Sequence, residues 1–202
     1  MDDATRIAAA QLARMRGMTR YYHQRFFSDI RYTTTAALAL LVAGWWGIGE
    51  AFLLVPVVAL LGATLTAFDA SYLVFARQYA ARLEARINRD LGSDVLVAAR
   101  LEDAYLFPLD RPKVVTAAFG GGFSWFGFMT LFFTGVGAAL FGFGLALGLP
   151  VLQDHGDAWT IAYSATLGTA LVAAVTVGVW WFPLGTGEQR LREVLDRDFD
   201  AG

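Results

Sequence analysis

Two long stretches without a formal charge constrain this chain more than any other feature. None of the residues between Lys113 and Asp154 is charged, and none between Asp157 and Glu188. A helix that crosses a bilayer needs about 20 mostly apolar residues. Within the hydrocarbon it must also satisfy its backbone polar groups internally, which a helix does by construction. The whole chain is 56% hydrophobic and 17% charged, whereas soluble domains average about 45–50% and about 25%. These features exclude a soluble globule and a disordered chain. They predict an all-α polytopic membrane protein with four transmembrane helices in two hairpins, joined to helical cytoplasmic segments.

The first hairpin is predicted over residues 32–76. Its first uncharged run is Tyr32 to Gly49 and its second starts at Ala51. Between them, Trp45-Trp46-Gly47-Ile48-Gly49-Glu50 combines two aromatics, two glycines and one acid, a composition suited to a tight turn at a headgroup boundary. The second hairpin is predicted over residues 114–185, with one span from about Phe123 to Leu149 and another from Ala158 to Phe182.

The basic residues set the orientation. Six of the sixteen lie in residues 1–31, seven in 69–113 and three in 188–202. The Glu50 turn and the connection from Pro150 to Asp157 have none. Cytoplasmic loops carry the excess of Lys and Arg. The N- and C-termini are therefore expected in the cytoplasm, with two short turns outside. The arginine-rich composition, with fifteen Arg and one Lys, associates the chain with a bacterial inner membrane.

Three segments are assigned to the cytoplasmic side: 1–31, 77–113 and 186–202. The first reads as an amphipathic helix, with Arg6, Arg16, Arg20 and Arg31 on its solvated face and Gly17 as a candidate break point. It would lie on the lipid surface or pack on the other cytoplasmic helices. The second span is expected to continue past the membrane to Leu91, with Gly92 as its C-terminal cap. Ser93 predicts the N-cap of a further helix over 94–107. Thr186-Gly187-Glu188-Gln189 has the form of a capping box. Arg82, Arg86 and Arg89 form a stripe suited to anionic lipid or an acidic partner. The acids of the C-terminal segment, Glu193, Asp196, Asp198 and Asp200, are placed to meet that stripe.

The residue patterns of common catalytic sites are missing from the sequence. It lacks a phosphate-binding loop, a zinc-protease motif and a serine nucleophile elbow. With zero cysteines there is also no thiolate chemistry. A net charge of −2 gives no electrostatic case for nucleic acid. Asp69, at the inner end of the second run, is expected to form a structural ion pair with Arg31. Gly127, Gly135, Ala139, Gly144 and Gly148 have the small-residue spacing of helix crossings in lipid. The reading is a non-enzymatic scaffold, subunit or accessory protein without a cofactor. Its partners would be membrane lipids and a second copy or another membrane protein. The alternative is an oligomeric pore, with hydroxyls of the last span lining a passive path.

Overall fold

A computed structural model describes residues 3–106, 109 and 124–200. Among these residues every regular element is a helix: α1 Asp3–Trp45, α2 Ala51–Leu91, α3 Ala98–Tyr105, α4 Trp125–Gln153, α5 Asp157–Trp181 and α6 Thr186–Asp200. Three of them, α2, α4 and α5, are long and apolar enough to cross a membrane. The expected first span lies at the end of α1 and is not among the three. Its apolar run covers Tyr32 to Trp45, begins with three threonines and follows Asp29 and Arg31 closely, which dilutes its hydropathy.

The turn between α1 and α2 falls at the Trp-Gly-Glu segment. Gly47 there has φ 107°, a conformation that favours glycine because a Cβ clashes in it. Gly92, at φ 64°, ends α2 as expected. Gly17 does not interrupt α1: nothing lies within 4 Å of where its Cβ would stand, so a helical path there costs only glycine's intrinsic propensity. The helix after Ser93 starts later than expected, at Ala98, and Leu96 before it is held by the side chain of Asn88 of α2. Pro108, Pro112 and the glycine triplet before α4 lie outside the described residues, as does the start of the second hairpin.

The chain divides into two compact units. One comprises Met1–Arg25, Asp69–Thr130 and Val179–Gly202; the other comprises Phe26–Phe68 and Leu131–Gly178. In the first unit, Ala8 and Met15 of α1 are buried against Ala80, Leu83 and Ile87 of α2, with Phe199 of α6 packed beside them. The amphipathic N-terminal segment thus packs on other helices of the chain. In the second unit, Ala37 and Leu41 of α1, Phe52 and Val55 of α2 and Leu140 of α4 form one apolar cluster.

α4 reaches α2 through its small residues. A Cβ on Gly144 would stand 2.6 Å from Pro56 Cδ, and one on Gly148 would stand 3.0 Å from Leu53 Cδ2. Pro56 lies inside α2 and has no N–H to offer the carbonyl four residues back. The neighbouring Leu53 carbonyl accepts a hydrogen bond from Tyr163 Oη of α5 at 2.7 Å. This bond ties α5 to α2 at the point where the proline weakens the helix's own ladder.

Candidate functional site

The densest polar chemistry lies in the first unit, where α1, α2 and α3 meet. Arg77 of α2 is fully buried. Its Nε donates to Glu102 at 3.3 Å and its Nη2 to Asp103 at 2.8 Å, both on α3. Arg16 of α1 donates to Glu84 Oε2 at 2.6 Å and also to Glu102. Glu84 uses its other oxygen to accept the backbone N–H of Ala99 at 3.0 Å. The groups therefore alternate in sign from Glu84 through Arg16, Glu102 and Arg77 to Asp103. Burial pulls the Arg77 guanidinium below its usual range, and the two acids beside it act in the opposite sense.

This network explains how so short a helix is held. Val97, the N-cap of α3, makes no side-chain cap bond. Glu84 supplies the missing acceptor from another helix, and its negative charge suits the positive end of the helix dipole. One turn earlier, Asn88 clamps the approaching chain. Its Nδ2 donates to the Leu96 carbonyl at 2.7 Å, and its Oδ1 accepts the Leu96 N–H at 2.8 Å. The same arrangement turns α3 inside out relative to an ordinary surface helix. Its acids Glu102 and Asp103 face the buried Arg77 and the half-buried Arg16, while Val97, Leu101 and Tyr105 are exposed, the last two at 66% and 70%.

A second polar cluster sits at Asp69, which is completely buried. Its ion-pair partner is Arg25, at 3.3 Å, in place of the expected Arg31, which is exposed. Helical geometry accounts for the difference: the two arginines are six residues apart, so they project in different directions from α1 and sit at different heights. Tyr22 stacks on Tyr72 at 4.8 Å beside this pair in sequence, and His23 lies against Phe126 at 6.0 Å. Burial pushes the His23 imidazole below its usual range.

The expected arginine stripe is divided. Arg82 pairs with Asp196 of α6, one of the acids expected to meet it; the side chains of Asp198 and Asp200 lie outside the described ones. Arg86 and Arg89 are exposed. Arg16, expected on a solvated face, is instead drawn inward by Glu84 and Glu102. The small residues of α4 divide as well. Gly144 and Gly148 are buried against α2, whereas Gly135 and Ala139 are exposed and a Cβ on Gly135 would meet nothing. Gly127 belongs to the capped first turn of α4, where its N–H donates to Ser124 Oγ at 2.9 Å. The network of Glu84, Glu102 and Asp103 was missed from sequence. Nothing in the linear spacing of an 86-residue separation between Arg16 and Glu102 marks them as partners.

No protein family, curated protein or solved structure matches this chain.

Proposed function

We propose that the chain is a four-span protein of the bacterial inner membrane, with both termini in the cytoplasm, that works without catalysis as a scaffold or subunit. The fourth crossing is supported by the pairing inside the second unit. Ala37 and Leu41 of α1 pack on Phe52 and Val55 of α2, so where α2 enters the hydrocarbon, the end of α1 goes with it. A non-catalytic role is supported by Glu84, Glu102 and Asp103 of the first unit, which are bonded to arginines and to a helix end.

The observation that carries the reading is the free side of α5. Of its 25 residues, only Leu167 is buried. Opposite Leu167, the residues Ala162, Thr166, Thr169, Ala173 and Thr176 are all exposed and recur at alternating spacings of four and three, the repeat of a left-handed helix pair. The hydroxyls of Thr166, Thr169 and Thr176 make no hydrogen bond among the described residues, whereas that of Thr160 donates to the Gly156 carbonyl just before α5. Small residues allow backbones to approach in lipid, and hydroxyls bond across the contact. An association interface uses both properties. The three hydroxyls on one face also favour the second reading, a pore, if several copies turn this face toward a common axis.

The test is size in a mild detergent. The intact protein is expected to run as an assembly, and Thr169→Phe to dissociate it without loss of helicity. Solute flux in proteoliposomes that disappears with the same substitution selects the pore. An intact protein that is monomeric, brings no other membrane protein with it from native membranes and is unaffected by Thr169→Phe overturns the reading.

A further inference from the structure

From the contacts of α3 we infer that this helix is a charge-held clasp: it opens between Leu96 and Leu106 under the control of ionic strength, while α1 and α2 stay packed. The clasp operates in the same way whether the chain is a scaffold or a pore.

An isolated helix shorter than about 12–15 residues is marginal in water. With eight residues, α3 persists through what it docks on. Only Ala99, Glu102 and Asp103 of the eight are not exposed, and none is buried. The apolar share of this docking is therefore small, and charge supplies the rest. Glu102 lies between Arg16 and Arg77, Asp103 meets Arg77, and Glu84 accepts the Ala99 N–H. The apolar anchors stand outside the helix, one on each side. Leu96 packs on the cluster of Met15, Leu83 and Ile87, and Leu106 is buried with Leu73 and Val74.

Proteins open locally where few apolar contacts oppose it, at a free energy below that of global unfolding. The buried residues that join α1 to α2 are Ala8, Met15, Ala80, Leu83 and Ile87. None of them comes from α3, so the pair keeps its core when α3 lifts. Dissolved ions favour the lifting in two ways. The side chains of Arg16, Glu102 and Asp103 are 23%, 24% and 40% exposed, so mobile ions reach them and screen their attraction. Opening also uncovers Arg77, and an anion from solution takes the place of the carboxylates that leave it. The cluster between α1 and α2 contains no charged residue, so screening does not weaken it. In the open state Arg16 and Arg77, otherwise masked by the chain's own acids, face the surroundings.

The experiment is hydrogen exchange of the full chain in nanodiscs of neutral phosphatidylcholine, read by mass spectrometry. It compares about 0.01 M with about 1 M sodium chloride, where the screening lengths are about 30 and about 3 Å. Peptides covering residues 97–105 are expected to exchange at least tenfold faster at the higher salt. Peptides containing Met15 and Leu83 should keep their rates. Glu102→Gln preserves the shape and removes the charge that both arginines share. Its α3 should exchange at the lower salt as fast as the parent's does at the higher, with little further response. Asp103→Asn is the second variant should Glu102→Gln fail to fold, with a smaller effect in the same direction. Exchange of α3 that ignores salt overturns the inference. So does equal acceleration of the Met15 and Leu83 peptides, which would make the opening global. A folded Glu102→Gln protein with the parent's protection and salt response also overturns it, because charge would then not be what holds the clasp.

Discussion

Arg77→Leu is expected to cause the largest loss of stability of any single substitution in the first unit. The guanidinium is completely enclosed and faces Glu102 and Asp103. Removing it takes a cation from Asp103 and from Glu102, which keeps Arg16, and breaking a buried pair from one side costs about 3–5 kcal/mol. For a chain of this size that corresponds to a fall in Tm of about 6 °C or more. Arg77→Lys keeps the charge and loses the forked geometry, so it should fall between the two. Thermal unfolding of the detergent-solubilised protein, followed by circular dichroism, reads both. A Tm unchanged in Arg77→Leu would mean that the network contributes nothing to holding α3.

Gly144→Leu is expected to be as severe, for a steric reason. The first added carbon already meets Pro56 and Val55 at 2.6 and 2.8 Å, inside van der Waals contact, and Pro56 is itself fully buried. The helices must separate, which forfeits the close packing that holds spans together in lipid. Yield of folded, monodisperse protein should drop sharply. Gly135→Leu, where a Cβ meets nothing, should fold as the parent does. The two glycines lie nine residues apart, half a revolution around α4, so the pair separates helix packing from a general intolerance of bulk. Equal yields for the two variants would contradict the packing described.

The contrast between these two predictions shows which parts of the structure were legible in the sequence. Periodicity and charge distribution are properties of one helix at a time. They located the turn at Trp45 to Glu50 and the run of α2 through to Gly92. Spacing also placed Asp196 opposite the stripe containing Arg82. It failed where partners come from distant parts of the chain. Asp69 had to find a cation on α1, and the choice between Arg25 and Arg31 depends on the register of two helices, which neither sequence specifies alone. The end of α3 was missed because Glu84, fifteen residues upstream of Ala99, acts as its cap. A local rule that looks for Ser or Asp at the helix start has no access to such a partner.

Topology tests the central claim most directly. The chain has no cysteine, so each single substitution is a unique probe. Glu50, Asp154, Gln24, Ser93 and Gln189 are all exposed and are better positions than the glycines nearby, since a side chain on Gly187 would overlap Trp181. In intact cells treated with an impermeant thiol reagent, Glu50→Cys and Asp154→Cys are expected to be labelled. Gln24→Cys, Ser93→Cys and Gln189→Cys are expected to react only after the membrane is opened. Labelling of Gln24→Cys from outside would show that α1 does not cross, and labelling of Ser93→Cys would reverse the whole arrangement; either result contradicts the four-span account.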